Sequence, residues 1–393
     1  MLHVAQISFF NDLQDRLPEE LLAVWPSVVD IAECASSAGV RVSVIQASRH
    51  SRRVLRNGVS YYFLPFGRAT PANAISDDFM SLLRELTPDV LHVQGLGFPH
   101  DVLSLAATVP PEAPIVLQDH ADCVPPLWRR YLWRRAFAAT AAISFCSAAQ
   151  AQPFAEAGLL SAGTRVYEIP ESTSRFTPGD EEAARRELNV EGGPLLAWVG
   201  HLDANKDPLT VLEGVSRAVP ILAGLHLWCC FGSAPLHEPV RKRIAADPNL
   251  RYRVHLLGRL PHQQVERLMQ AADLFVLGSH REGSGYSLME ALACGVTPVV
   301  TDIPSFRALT GQGAVGELWR AGDADSLCRA LLSVVPRLQP GVRSEVRAHF
   351  DRELSFEAVG AKFAVMYQDA VERSRRPPGL RKSAAYGTTI TTP

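Results

Sequence analysis

Short apolar runs alternate with longer amphipathic stretches along this chain, and the alternation is gone through twice. In the first pass the runs are Leu2 to Phe9, Val40 to Gln46, Val90 to Gln94, Ile115 to Gln118, Ala141 to Phe145 and Val166 to Ile169. In the second they are LLAWVG (195–200), LHLWCCF (225–231), YRVHLLG (252–258), ADLFVLGS (272–279) and TPVVT (297–301). Strands that alternate with helices build a parallel sheet covered on both faces, so each half is expected to be an α/β, doubly wound unit. Between the passes, ESTSRFTPGDEEAARRELNVEGGP (171–194) is charged and holds Pro178, Gly192, Gly193 and Pro194 but no long apolar run. It reads as an interdomain crossing. No short-period repeat is present, which excludes solenoids and propellers.

The 393 residues are too many for one small module, and 47% hydrophobic against 20% charged residues is enough apolar surface for two large cores. A formal net charge of -2 provides no overall cationic field, so no nucleic-acid partner is expected. Seven cysteines with no C-x-x-C spacing indicate neither a disulfide framework nor a zinc ribbon, and a reducing cytoplasm fits them best. The first residues, MLHVAQISFF, lack the cationic start of a secretion signal, and no run reaches the roughly 18 apolar residues of a membrane span.

In open parallel sheets, ligands gather beyond the carboxyl ends of the strands. The richest loop of that kind is SHREGSGYSLMEALACG (279–295), where Gly283, Ser284 and Gly285 permit a tight turn into a helix from Tyr286 to Cys294, ended by Gly295. Free amides at such a helix start, with its dipole, suit a phosphate. Glu282 and Glu290 bracket the turn. Glu290 is placed to accept from a pair of sugar hydroxyls; the plainer alternative is a loop charge and a solvated helix residue. A second loop, His201 to Asp207, carries Lys206, and only four of the 39 basic residues are lysine. A compact ammonium suits a diphosphate as a point charge, although a surface lysine is the alternative.

Gly232 and Ser233, after LHLWCCF, form a third loop of close backbone approach. His120, just past a strand end between Asp119 and Asp122, is a candidate for substrate binding or proton transfer, or a structural histidine. The stretch from Leu127 to Arg135 interleaves aromatics with arginine. It is either a peripheral membrane contact through Trp128 to Arg135 or an ordinary helix with Trp and Leu packed inward. There is no G-x-G-x-x-G after the first strand, no phosphate-binding G-x-x-x-x-G-K-[ST], no G-x-S-x-G and no H-E-x-x-H. Asp323-Ala-Asp325 has the D-x-D form of metal-dependent sugar transferases but lies far along the chain from the Gly-rich turn, and it is set aside.

The E-x7-E from Glu282 to Glu290, inside REGSGYSLMEALACGVTPVVT, resembles the retaining GT-B glycosyltransferases of family four. GHLDANKDPLTVLEG is similar to that family's G-R-L-x-x-x-K-G loop, RVYEIPESTSRFTPGD to the strand and F-x-P closing its first domain, and DVLHVQG and VLQDHAD to its D-V-x-H and His-containing loops. The resemblance runs from about 85 to 335. It implies two Rossmann-like domains facing across a cleft. These are an acceptor-side domain (1–172), a linker (173–193), a nucleotide-sugar-binding domain (194–352), a helix packing back toward the first domain (353–373) and a disordered tail (374–393). It further implies that Lys206 and His201, with the amides from Gly283 through Ser284, Gly285 and Tyr286 to Ser287, hold the donor diphosphate. Glu290 would hold the ribose and Glu282 the transferred sugar, with Gly232 and Ser233 as further donor contacts and His120 near the reacting centre. The partners implied are a nucleotide sugar and an acceptor, with no cofactor and no metal; the cysteine usage points to the cytoplasm, and the membrane alternative for Trp128 to Arg135 would set the protein at the inner face of the membrane.

Three positions depart from the family pattern. His201 stands where the family has arginine, so a permanent charge becomes titratable. The Gly pair after the first strand is replaced by FFNDLQDRLPEE, and the turn reads Glu-Gly-Ser-Gly where Glu-Gly-Phe-Gly is common. The alternative function is a catalytically degenerate GT-B protein that binds a sugar nucleotide or partner without turnover. A nucleotide-sugar epimerase or dehydrogenase is disfavoured by the missing dinucleotide loop.

Overall fold

Alternate residues of the first-half strands feed two different cores. Val42 and Val44 point into one apolar cluster and Ile45 and Ala47 into another, as period-2 side chains must when both faces of a sheet are covered. The computed structural model describes residues 1–65, 75–110, 112–161, 164–190 and 192–375. The chain divides into two compact units, Met1–Thr173 with the segment from Phe356 onward, and Ser174–Ser355. Each is an α/β unit on a parallel sheet.

Among the described residues the first unit has eight strands: β1 (His3–Ser8), β2 (Arg41–Ala47), β3 (Arg52–Arg56), β4 (Val59–Leu64), β5 (Val90–Gln94), β6 (Ile115–Gln118), β7 (Ala142–Phe145) and β8 (Arg165–Glu168). Their order is β3-β4-β2-β1-β5-β6-β7-β8, parallel throughout except that β3 runs antiparallel to β4. The β3–β4 hairpin was not anticipated, although Asn57-Gly58 signals it: both residues have positive φ, 47° and 80°, as a two-residue primed turn demands. The helix Pro26–Ser37 and the last helix, Phe356–Ser374, cover one face of this sheet. They pack closely because residue 360 is glycine; a Cβ there would lie 2.1 Å from the carbonyl oxygen of Cys34. Helices Asp77–Leu86, Pro99–Thr108, Arg130–Ala138 and Ala148–Glu156 cover the other face.

The second unit has six strands, all parallel: β9 (Leu195–Gly200), β10 (His226–Phe231), β11 (Val254–Gly258), β12 (Leu274–Leu277), β13 (Thr297–Thr301) and β14 (Glu317–Trp319). Their order is β11-β10-β9-β12-β13-β14. The first strand, β9, therefore sits in the middle with β10 and β12 beside it. The winding reverses there, and the loops leaving β9 and β12 emerge side by side.

The segment expected to be a crossing, 173–193, is instead largely part of the second unit. It contains the helix Glu181–Leu188, capped by Asp180, whose carboxylate accepts from the amide of Ala183 at 2.9 Å. Only Ala184 of this helix is buried. Its hold on the unit comes from Arg185, which donates to the Ala271 carbonyl (2.9 Å) and to Asp273 (2.7 Å), and from ion pairs of Glu181 with Arg343 and of Glu187 with Arg267, each at 3.1 Å. A helix with one buried alanine, held otherwise by charged side chains, leaves no apolar run to read. The expected single late helix is two, Val342–Glu353 and Phe356–Ser374, and the passage between units falls between them. Of the tail expected to be disordered, residues 376–393 lie outside the described residues. No helix among those described is long and apolar enough to cross a membrane.

Candidate functional site

The loop after β9 is held to the loop after β12 by several contacts, with Asn205 at their centre. The amide group of Asn205 donates to the Arg281 carbonyl at 2.9 Å and accepts from the Arg281 amide at 3.1 Å, while the Asn205 carbonyl accepts from the His280 amide at 2.8 Å. Asp207, at φ 43°, caps the following helix through the Thr210 amide (3.2 Å) and also meets Nε2 of His280 at 3.0 Å. Within this brace Lys206 and Glu282 form an ion pair, with the two side chains only 15% and 12% exposed. Lys206 is itself fixed at the backbone, where its amide donates to Asp203 at 2.9 Å.

The helix Tyr286–Ala293 begins directly after Glu282-Gly283-Ser284-Gly285. Gly283, Ser284 and Gly285 are buried, and Gly285 has φ 83° with no side-chain cap on the helix start. A Cβ on Gly285 would lie 2.6 Å from the ring of Phe306, so both conformation and space demand glycine there. Tyr286 and Ser287 open the helix and are partly buried. Glu290 follows one turn in, where its carboxylate, 16% exposed, meets Nε2 of the exposed His262 at 2.8 Å. His262 rests against Phe176, ring centroids 4.6 Å apart. The amide of Ser233 donates to Nδ1 of His201 at 3.2 Å, and the ring lies over Gly232. A nitrogen that accepts an amide proton carries none of its own. In this arrangement His201 offers a neutral ring with an Nε2–H donor, and the cation of the loop is Lys206. Asp323 caps the helix Ala324–Val334 and Asp325 pairs with Arg217, which gives the D-x-D sequence a structural role.

In the first unit, His120 follows β6 and is gripped at both ring nitrogens by oxygens. Nε2 lies 2.7 Å from Oε1 of Gln94, and Nδ1 lies 2.6 Å from Oε2 of Glu171. Asp119 and Asp122 shape the turn: Asp119 accepts from the Asp122 amide at 2.9 Å, and Asp122 accepts from the Leu96 amide at 2.8 Å. Burial opposes charging the His120 ring, but the hydrogen bond and charge of Glu171, with the charges of Asp122 and Asp119, more than offset it and raise its pKa. Asp119 is pushed up to about 7 by burial and by the charge of Asp122. Nearby, burial and the charge of His120 drive His92 down to about 3.

The stretch Leu127 to Arg135 turns outward at its start. Leu127, Trp128 and Tyr131 are 77%, 81% and 69% exposed, whereas Trp133 is buried. Arg129 stacks over Trp128 and Arg135 over Tyr131. The ordinary packing reading, with Trp and Leu inward, holds only for Trp133.

Two family profiles match the chain: "Glycosyl transferases group 1" over residues 180–336 and "Glycosyltransferase Family 4" over residues 24–170. Together they span most of the sequence. The chain belongs to the family-four glycosyltransferases of the GT-B fold. It is 31% identical over 230 residues to a D-inositol 3-phosphate glycosyltransferase of Geodermatophilus obscurus, covering 54% of this chain and 50% of that protein. It is 27% identical over 245 residues to a GDP-mannose:cellobiosyl-diphosphopolyprenol alpha-mannosyltransferase of Xanthomonas oryzae, covering 58% and 60%. The match thus covers half of the first relative and 60% of the second. Among solved structures, Anabaena HepE in complex with UDP superposes with a TM-score of 0.69 at 17% identity, covering 94% of this chain and all of that one.

This member of the family therefore assembles, in its second unit, Lys206 with Glu282 beside the Gly283–Ser287 turn, Glu290 one turn further and His201 with Gly232 and Ser233 on the neighbouring loop. His120 lies in the first unit. Sequence reasoning missed Asn205, His262, Gln94 and Glu171. The last had been taken as the start of a crossing, and the only hint of it was a carboxylate directly after a strand end. Gln94 ends β5, one strand over from His120, and that adjacency needs the strand order.

Proposed function

We propose that this chain is a retaining glycosyltransferase that moves a sugar from a nucleoside-diphosphate sugar to an acceptor hydroxyl without a metal. The observation that carries the reading is the half-buried ammonium of Lys206 beside Glu282, at the reversal point of a doubly wound sheet and next to an uncapped helix start. A helix start and an ammonium are groups that stabilise a departing diphosphate. In the reaction, the bond from the sugar's anomeric carbon to the diphosphate oxygen breaks, and the electron pair leaves with the diphosphate. The acceptor oxygen bonds to that carbon on the same face, and its proton goes to the leaving phosphate.

In this reading Lys206, His201 through Nε2–H, and the amides from Gly283 to Ser287 hold the diphosphate, with Gly232 and Ser233 as backbone contacts. Glu290 takes the ribose hydroxyls after giving up His262, and Glu282 takes the sugar. His120 serves the reacting centre as a fixed positive charge, since both its ring nitrogens face acceptors. The names of the relatives put inositol phosphates and lipid-linked diphosphates first among acceptors to assay. The test is a thermal-shift screen of uridine, guanosine and adenosine diphosphate sugars, followed by transfer assays in excess EDTA. Transfer that persists in EDTA and is lost in a folded Glu282→Ala variant is expected. Binding without turnover across donors and acceptors would identify the non-catalytic alternative, and loss of transfer in EDTA would overturn metal independence.

The exposed Leu127, Trp128 and Tyr131 with their flanking arginines extend the proposal to a cytoplasmic protein resting on an anionic inner membrane face. Co-sedimentation with phosphatidylglycerol vesicles at low salt is expected, weakened about tenfold or more in Trp128→Ser, the scale of one buried large apolar side chain. No binding, or binding indifferent to that substitution, would remove this surface from the membrane.

A further inference from the structure

His120 is linked to the last helix of the chain by a buried line of polar groups that the transfer reading does not use. Tyr367, on the helix Phe356–Ser374, lies with its hydroxyl 2.7 Å from Nδ1 of His92 on β5. Both residues are fully buried, and the His92 ring is wedged between Phe363 and Tyr367, with centroids 5.6 and 5.5 Å away. Two positions along β5, the amide nitrogen of Gln94 lies against the same imidazole, 3.5 and 3.4 Å from its two nitrogens. That leaves the Gln94 carbonyl oxygen to face Nε2 of His120 at 2.7 Å.

The direction in which an amide points decides what its neighbour can be. With oxygen toward His120, Nε2 must carry a proton; Nδ1, facing a Glu171 oxygen, carries one as well, and the ring is an imidazolium. With the Gln94 amide turned over, its NH2 group would face Nε2, which would then have to accept, and the ring would be neutral. With Nδ1–H of His92 donating to the Tyr367 hydroxyl oxygen, Nε2 of His92 keeps its lone pair on the side of the Gln94 amide nitrogen, which leaves the Gln94 oxygen for His120. The groups with charge or titratable protons around this line are Glu171, Asp119 and Asp122 beside His120, His92 and Tyr367 themselves, and Cys34 beside Tyr367 from the helix Pro26–Ser37.

We propose that Gln94 is the positioning residue that keeps His120 doubly protonated, and that Tyr367, acting through His92, holds Gln94 in the orientation that does so. The proton placement stands on geometry alone; only its consequence for turnover rests on the proposed function. The experiment is ring nitrogen NMR of the full chain labelled at histidine, with His120 assigned by its loss in His120→Gln, alongside transfer kinetics. Wild type is expected to show both ring protons on His120 at neutral pH. Gln94→Met is expected to lower the proton affinity of His120 about tenfold, the loss of one charged hydrogen bond. Tyr367→Phe should shift it in the same direction and Gln94→Glu should restore or exceed it, with kcat following and the donor KM unmoved. Should Tyr367→Phe fail to fold, His92→Phe cuts the same line with the same expected shift. A His120 titration identical to wild type in Gln94→Met overturns the proposal; one identical in Tyr367→Phe alone severs the helix from it. A chain with these titrations and no transfer activity would sink the functional reading and leave this one standing.

Discussion

Replacing Lys206 with alanine is expected to weaken binding of the donor by roughly 1.5 to 3 kcal/mol, the scale of a hydrogen bond to a charged group. That is about ten- to a hundredfold or more in Kd. Two effects act in the same direction. The ammonium is the permanent cation of its loop, since His201 offers a neutral ring while its Nδ1 accepts from Ser233. Its removal also takes away the charge that offsets that of Glu282, whose side chain is 12% exposed. Glu282→Ala is expected to behave in the opposite way toward the nucleotide: with its partner gone, Lys206 is free, and the nucleoside diphosphate binds as well as before or more tightly while transfer is lost. Calorimetry with the diphosphate separates these outcomes. Unchanged affinity in Lys206→Ala would take the lysine out of the site. An equal loss in both variants would mean that the pair serves only to hold the two loops together.

The second large effect is a loss of stability with rising pH, traced to Asp119. Its carboxyl holds its proton to about pH 7 in the folded chain, whereas an unfolded aspartate releases it near pH 4. Between those limits the folded state binds more protons than the unfolded one, so stability falls as pH rises through the window, by up to about 4 kcal/mol. His120 adds to the trend. Its pKa is raised on folding, so its contribution is complete below the unfolded histidine value and is lost as pH climbs through the folded one. Asp119→Asn keeps an oxygen for the Asp122 amide and removes the titration. The variant is expected to be more stable than wild type at pH 8, by on the order of 2 kcal/mol, with most of that advantage gone at pH 5. Denaturant midpoints at the two pH values check it; wild type and variant that respond to pH in parallel would refute the assignment.

What could be read before the fold was known follows the reach of each signal. Strands such as Val90–Gln94, Ile115–Gln118, Leu195–Gly200 and Thr297–Thr301 are apolar runs between breakers, and their bounds were legible to the residue. The hairpin at Asn57-Gly58 carries an equally local signal in its turn, but its arginine-rich first strand, RRVLR, shows little apolar character. The helix Glu181–Leu188 had no such signal, since it is held by Arg185 reaching a carbonyl and a carboxylate in distant sequence. Lys206 and Glu282 were each found separately as loop residues at strand ends, and nothing local stated that they touch.

The amino-acid order by itself determined two doubly wound α/β units, the loops that bear their chemistry, and the glycines that the turn into Tyr286–Ala293 requires. These depend on periodicity and backbone freedom within a few residues. Tertiary structure alone decided that β9 lies beside β12, so that Asn205 can bind Arg281 and Lys206 can reach Glu282, 76 positions away. It alone brought Gln94 and Glu171 to the two sides of His120, and Tyr367 to His92 across 275 positions. Strand order is set by which apolar faces bury one another over the whole unit, and a single polar contact between distant residues has no period that a sequence could display.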